Sequence, residues 1–286
     1  MGKISDDTSS TRRLTRETGT FTRSTAGSQS LSRGLALLRT FLAGAPVLTN
    51  SQLSDRSGLP KPTVSRLTRS LVEAGFLEYE RTSEGYRLSP VCLAFANAFR
   101  LSRTELNLVL PLMRKVAVEE RVNVGLSTAD ELTMIYLDTL REGHGPLRRT
   151  VRPGVRLPME TSSPGHAYLA ALHESARKPL MLELAKKCGR KWPRYQATIA
   201  ESAAMLSNQG YCRSKASLGV EGIACAVTGP DGVIYALNLS FSAEDLNYEP
   251  LVAYFVPVLR GLASRIRQTW DEFALAESGT VRDRRS

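Results

Sequence analysis

The chain has no CxxC pair: Cys92, Cys188, Cys212 and Cys225 are isolated and far apart. Neither a zinc ribbon nor a small disulfide framework is written in it. Its three histidines, His144, His166 and His173, do not stand with acids or cysteines at metal-binding spacing, so no metal and no cofactor is expected. Apolar runs such as Leu251 to Leu259 fall far short of the roughly 20 residues a membrane helix needs, and the first residues lack the apolar core of a signal peptide. A place in the reducing cytoplasm, with no membrane partner, is the expectation. Also missing are a GxSxG elbow, a P-loop, a GxGxxG behind a strand and an HExxH pair, so no motif route to catalysis is open. No catalytic residue is named. Cys225, set in an apolar strand, reads as a small buried hydrophobe, since a redox sensor wants an accessible, electropositive position.

What is present begins with charge. A net charge of +10 and a pI near 9.7 favour a polyanionic partner, nucleic acid ahead of acidic lipid. The 286 residues suit about two domains. Residues 1–29 are rich in Ser and Thr, carry Lys3, Arg12, Arg13, Arg16 and Arg23, and have almost no apolar residues. They read as a disordered basic arm: a solvated tail, or a tether that follows DNA phosphates.

From Leu31 a helical period sets in, with Leu31, Leu35, Leu38 and Leu42 as its apolar stripe and Gly44 and Pro46 as its end. Thr49 stands three residues before Gln52, the spacing of a capping box, and predicts a short helix that Gly58 closes. Pro62 suits the first turn of a third helix. There Val64, Leu67, Leu71 and Ala74 share one face, while Pro62, Ser65, Arg66 and Arg69 share the other, and Gly75 stops it. Two short helices across a Gly-containing turn, the second presenting hydroxyls and cations outward, form the helix-turn-helix pattern. The period then changes to two, giving a hairpin turning at Ser83 to Gly85, which is a wing; Arg81 and Arg87 flank its turn. Pro90 opens a connector helix to about Arg103, whose stripe of Leu93, Ala96 and Phe99 must be buried on its own domain or on a second copy of the chain.

The remainder reads as mixed α and β. Leu108, Leu112 and Val116 mark a helix; Val122 to Ser127 and Leu132 to Leu137 are strands around a turn at Ala129 to Glu131. Leu147 to Leu157 is extended and basic. Thr161, Ser162 and Ser163 lead into an apolar helix, and another covers Ala197 to Ser207. Strands Gly222 to Val227 and Val233 to Phe241 flank a turn at Gly229 to Gly232, and a last helix runs from about Glu249 to Trp270.

The segments SRGLALLRTF, LTNSQLSDRSGLPKPTVSRLTRSLVEAGFLEYE, GYRLSP, RLPMETSSPGHAYLAAL and GVEGIACAVTGPDGVIYALNLS, in that order and spacing, resemble the IclR family of bacterial transcriptional regulators over roughly residues 30 to 275. The resemblance implies an α+β chain of two domains: a winged helix-turn-helix at 30–89, a connector helix at 90–107, and a GAF-like α/β effector-binding domain at 108–275, followed by a tail at 276–286. It also implies a homodimer or a dimer of dimers, and an effector pocket between the sheet and the helix that follows RLPMETSSPG. Pro164, Lys215 and Ser217 depart from the family pattern and bear on which effector binds.

For double-stranded DNA, the expected contacts are Lys61, Thr63, Ser65, Arg66 and Arg69 on the recognition helix, Thr49 and Ser51 at the preceding helix start, and Arg81 and Arg87 on the wing. Arginine can reach guanine O6 and N7 as a bidentate pair, and a helix start offers backbone amides to phosphate. For the effector, a helix N-terminus with nearby hydroxyls suits a carboxylate, which points to Ser162, Ser163 and Gly165. Asn238 and Ser240, two apart on one strand face, would line the pocket with Val220 and Gly222. The function expected is a sequence-specific regulator on a palindromic operator, controlled by a small organic acid from a catabolic route. The competing readings are a DNA-coating protein indifferent to sequence, which leaves the second domain without a role, and an enzyme using that domain's pocket.

Overall fold

The computed structural model describes residues 28–143, 151–216, 220–242 and 248–283. Nearly all of the expected arm, His144, the start of the basic stretch at 147–150, Ser217 and the end of the tail lie outside the described residues.

The chain opens with α1 (Gln29–Arg39), α2 (Asn50–Ser57), α3 (Lys61–Glu73), β1 (Leu77–Glu80) and β2 (Gly85–Leu88). Local sequence sets each boundary. The Thr49 hydroxyl accepts from the Gln52 N–H while the Thr49 N–H donates to Gln52 Oε1 at 2.9 Å, a complete capping box. Gly58 ends α2 at φ +69° and Gly75 follows α3 at φ +75°, conformations that cost a residue with a Cβ about 1–2 kcal/mol. Val64 of α3 packs with Leu37, Leu53 and Leu77, with Leu71 at their edge, and Leu67 is buried as well. Thr68 joins them unforeseen: it is fully buried, and its hydroxyl is satisfied by the carbonyls of Val64 and Ser65.

The apolar stripe of α1 is not the expected one. Gly34, Leu37 and Phe41 are buried, with Leu38 packed at their edge, whereas Leu31 is 63% and Leu35 53% exposed. Both sets have helical spacing, so periodicity alone does not choose between them; the buried set is the one that packs on α2 and α3. The wing turn lies at residues 81–84, one register earlier than expected. Gly85 already pairs in β2, and a Cβ there would come 2.6 Å from Val47 Cγ1. Close approach of the neighbouring segment, where Leu48 and Tyr86 exchange backbone hydrogen bonds at 2.8 and 2.9 Å, is what demands glycine.

The connector is two helices, α4 (Val91–Leu101) and α5 (Thr104–Glu119), with a break at Ser102 and Arg103. Phe95 of α4 stacks on Phe76 at 5.7 Å, yet no residue of α4 is buried, and Leu93 and Leu101 are 74% and 73% exposed. In α5 the buried face is Leu106, Val109, Met113 and Val116; of the expected stripe Val116 is buried and Leu112 packs at the core's edge, while Leu108 faces outward.

The sheet is antiparallel throughout, built from β3 (Asn123–Asp130), β4 (Thr133–Arg141), β5 (Arg156–Pro158), β6 (Cys212–Ala216), β7 (Val220–Thr228) and β8 (Ile234–Ser242) in the order β5-β4-β3-β8-β7-β6. One face carries α5 and α9 (Tyr248–Asp283) over a core of Leu126, Leu237, Leu239, Phe255, Leu259 and Trp270. The Trp270 indole donates to the Glu105 carbonyl at 2.7 Å, which locks α9 to α5. On the other face α6 (Ser163–Ala171), α7 (Glu174–Cys188) and α8 (Trp192–Gln209) share a smaller core with Met134, Ala224 and Ala236. Neither α7 nor β6 was expected; α8 begins earlier than foreseen and α9 runs on through most of the expected tail.

Candidate functional site

The outward face of α3 is polar. Lys61, Ser65, Arg66 and Arg69 are exposed and Thr63 is half-buried at their flank. Among the described residues no acid pairs with Lys61, Arg66, Arg69 or Arg81, so their charge is free to meet a polyanion. Arg87 differs: it holds Glu78 across the hairpin with Nη2 at 2.8 Å and Nε at 2.9 Å. The Thr49 hydroxyl forms the expected cap, and its N–H, expected to serve phosphate, is held by Gln52 Oε1. Ser51, exposed in the first turn of α2, keeps an N–H with no intrahelical acceptor. Between this turn and the wing lies a hollow of about 680 Å³ lined by Thr49, Asn50, Ser51, Tyr79, Ser83, Glu84 and Tyr86. Asn50 Oδ1 is buried there without a partner, and Tyr79 is half-exposed with its ring edge-on to Tyr86 at 5.2 Å. Asn50 and Tyr79 were not foreseen; an aromatic left exposed on so short a hairpin was the available signal. The wing tip is stiffened by Glu80, whose carboxylate accepts from the N–H groups of Thr82 and Ser83, both at 3.0 Å. Hydrogen bonding from the Ser83 side chain, then from the backbone and side chain of Thr82, draws its pKa down to about 2.

A second cluster lies on the sheet face under α6. Strand register aligns two adjacent rows across four strands: Ala224, Asn238, Gly125 and Thr139 in one, Gly222, Ser240, Asn123 and Arg141 in the next. Alternation puts both rows on the face that Ala224 shares with α6. The expected residues Gly222, Asn238 and Ser240 therefore come together, and both polar side chains are buried. Ser163 joins them from α6: a Cβ on Gly222 would come 2.8 Å from its hydroxyl oxygen.

The start of α6 offers an anion less than expected. Ser162 is the cap, accepting from the Gly165 N–H at 3.3 Å and donating to the Pro158 carbonyl at 2.6 Å. Pro164 has no N–H, so of the first three donors one is missing and one is taken. Gly165 serves packing: a Cβ would come 2.1 Å from the Met159 carbonyl oxygen. Val220 opens β7, and its side chain lies outside the described residues, as does that of Lys215.

Charge arrives instead from β4. Arg141 donates through Nη1 to Ser240 Oγ at 3.2 Å and lies 5.3 Å over the Tyr136 ring. Its Nε is buried without a partner, and so are Thr139 Oγ1 and Asn238 Oδ1. Gly125 makes the convergence possible, because a Cβ there would strike Tyr136 Cε1 at 2.3 Å and Asn238 Oδ1 at 2.6 Å. Thr139 and Arg141 were missed because β4 was expected to stop at Leu137, and Tyr136 because it lay in that strand unremarked; the register shift between Leu126 and Ser127 leaves Leu137 as an extra residue and so puts Tyr136, Thr139 and Arg141 on one face, which strict alternation would not.

His166 is buried below this site. Its Nε2–H donates to the Glu160 carbonyl at 3.1 Å, leaving Nδ1 to accept from Ser202 Oγ at 2.8 Å. Burial lowers its pKa, so the ring is neutral and pins α6 to α8. Cys225 is buried and its thiol is pushed up to about 12 by desolvation, which keeps it protonated.

Residues 30–81 match the IclR helix-turn-helix domain, and residues 100–268 match the bacterial transcriptional regulator IclR C-terminal domain. The chain is 28% identical over 198 residues to the HTH-type transcriptional regulator TsaQ1/TsaQ2 of Comamonas testosteroni, spanning 68% of this chain and 71% of that one. The crystal structure of an IclR family transcriptional regulator from Brucella abortus is similar with a TM-score of 0.75 and 27% identity, over 85% of this chain and 92% of that one. An IclR homolog from Microbacterium hydrocarbonoxydans, crystallised with 4-hydroxybenzoate, shares the fold with a TM-score of 0.66 and 23% identity, over 85% of this chain and all of the other.

Proposed function

The chain belongs to the IclR family of bacterial transcriptional regulators, and from that premise we propose that it reads a palindromic operator as a homodimer and answers to a small organic acid. Its helix-turn-helix binds DNA and its C-terminal domain takes an effector. The observation that carries the finer reading is the outward face of α3, where Lys61, Ser65, Arg66 and Arg69 stand exposed beside a wing. Laid in the major groove, that face presents Arg66 and Arg69 to guanine edges and leaves Ser65 for bases or phosphates. Ser51, Arg81 and the hollow between α2 and the wing flank it and suit backbone phosphates, which fix register without reading sequence.

Two copies are supported by the apolar edges left uncovered, Leu31 and Leu35 on α1 and Leu93 and Leu101 on α4. A palindrome with half-sites one turn of DNA apart asks such a pair to hold its two α3 helices about 34–36 Å apart. The acid is supported by the buried polar rows under α6, and by the 4-hydroxybenzoate held by the Microbacterium homolog. The protein acts by binding and not by catalysis, and we place it with the DNA in the cytoplasm. None of the described helices is long and apolar enough to cross a membrane.

Binding to a palindromic fragment of its own promoter, measured against scrambled DNA at 150 mM salt, tests the reading. The palindrome should bind about 10³-fold tighter or more, and Arg66→Ala should relax preference at one position per half-site by about 1–3 kcal/mol. Equal affinity for both fragments would leave a DNA-coating protein instead.

A further inference from the structure

Three polar atoms stand buried and unpartnered in two adjacent rows of one sheet face, and their polarities differ: Arg141 Nε is a donor, Asn238 Oδ1 an acceptor, and Thr139 Oγ1 can act as either. A buried polar group without a partner is costly, and the cost is largest for a charged one. Among the described residues no carboxylate pairs with Arg141; what it meets is the Ser240 hydroxyl and the face of Tyr136. A guanidinium so placed can take a carboxylate through Nε and a second nitrogen. The buried acceptor on the adjacent row calls for a hydrogen-bond donor from the same ligand.

We propose that the effector is a hydroxy carboxylate, with its carboxylate on Arg141 and Thr139 and its hydroxyl donating to Asn238 Oδ1. The proposal rests on the reading of the C-terminal domain as effector-binding, and it moves the anion from the start of α6 to the far strand. Arg141 reads the charge, and Asn238 reads the hydroxyl. Gly125, between Thr139 and Asn238 in one row, lets the Tyr136 ring and the Asn238 amide lean over the same strand. A hydrogen-bonding site of this kind rejects a ligand lacking the hydroxyl more strongly than an apolar pocket does, because the buried acceptor is then left unpaired.

The test uses the full chain and matched probes: 4-hydroxybenzoate, benzoate and 4-hydroxybenzamide, then lactate, propionate and lactamide. Melting temperature and calorimetry report binding, and operator release is followed in parallel. At least one hydroxy acid should bind about tenfold or more tighter than both its deoxy and its amide partner. Arg141→Met should erase the acid-over-amide difference and Arg141→Lys should restore part of it. Asn238→Ala should erase the hydroxyl preference while acid binding remains. If Arg141→Met does not fold, Thr139→Val carries the test, with weaker acid binding expected. An amide that binds as well as its acid, or acid binding untouched in a folded Arg141→Met, overturns the proposal. Should a neutral probe bind and release the operator, the effector reading stands and the hydroxy-acid assignment falls. Should no probe bind or alter operator binding, the assignment falls and the effector reading loses its support with it.

Discussion

Arg81 and Arg87 carry the same charge at opposite ends of one turn, yet their surroundings differ. Arg87 sits in a fork on Glu78, so its charge is largely compensated before DNA arrives, whereas Arg81 is exposed and has no acid partner among the described residues. Each phosphate neutralised by a free cation steepens the salt dependence of binding by about one unit. Arg81→Ala should therefore lower the slope of log affinity against log salt by roughly one, and Arg87→Ala by distinctly less; Glu78→Ala, which frees Arg87, should steepen it. Fluorescence anisotropy on an operator fragment across a salt series measures all three, and equal slopes for the two arginine variants would remove the distinction. That both arginines flank the wing was legible in the alternation of Tyr79, Tyr86 and Leu88. The pairing was not, because it depends on register: with the turn at residues 81–84, Glu78 lies opposite Arg87, and a slip of one residue would give Arg87 another neighbour. The same holds for Arg141, whose role follows from the strand lying opposite and not from its own flanks.

Helices were legible where their ends are written in side-chain chemistry. Thr49 with Gln52, Pro62 and Gly75 fixed α2 and α3 closely, since each feature satisfies or removes a terminal backbone group. Helix α7 went unseen although its ends are marked, by His173 capping the Ser175 N–H and by Gly189 at φ +51°, because Pro179 interrupts its middle and Leu184 is its one buried residue, which leaves no apolar stripe to read. In α1 the difficulty was an excess of signal, with apolar residues on two faces at helical spacing. The face that stays open has consequences. Leu93 and Leu101 on α4, eight residues apart, and Leu31 and Leu35 on α1 form apolar edges left exposed among the described residues. Burying one leucine contributes about 1.5–3 kcal/mol, so in the proposed homodimer Leu93→Ser should raise the dissociation constant about tenfold or more, with operator affinity falling in step and monomer melting unchanged. Analytical ultracentrifugation over a concentration series reads this directly, and an unaltered dimer would place the interface elsewhere.

The whole chain is joined through β4. Its alternate residues face opposite ways, so Thr139 and Arg141 line the polar rows under α6 while their neighbours reach toward the DNA-binding half. Arg100 near the end of α4 pairs with Asp138 at 2.5 Å and donates to the Leu137 carbonyl at 2.8 Å. Where β3 gives way to the turn into β4, Asp130 takes Arg39 of α1 at 2.7 Å and also binds Arg156 of β5, the strand that leads to α6. Burial alone would raise the Asp130 carboxyl, but hydrogen bonds from Arg39 and Arg156 outweigh it and hold the pKa below its ordinary value. This tie is thus present at neutral pH and is lost only as pH falls through the lowered pKa. A ligand that shifts β4 against β8 pulls on α4 through Arg100 and on α1 through Asp130, a physical route by which the pocket can bias the spacing of two α3 helices. Allosteric coupling is commonly about 5–150-fold in affinity and is the same measured from either ligand. Arg100→Ala, and more fully Arg100→Ala with Asp130→Asn, should leave effector affinity in the free protein within about twofold while driving the effector-dependent change in operator affinity toward none. The measurement is a pair of operator titrations, with and without saturating effector, on each variant. A double variant that keeps the full response would show that the signal bypasses both ion pairs and travels through packing alone.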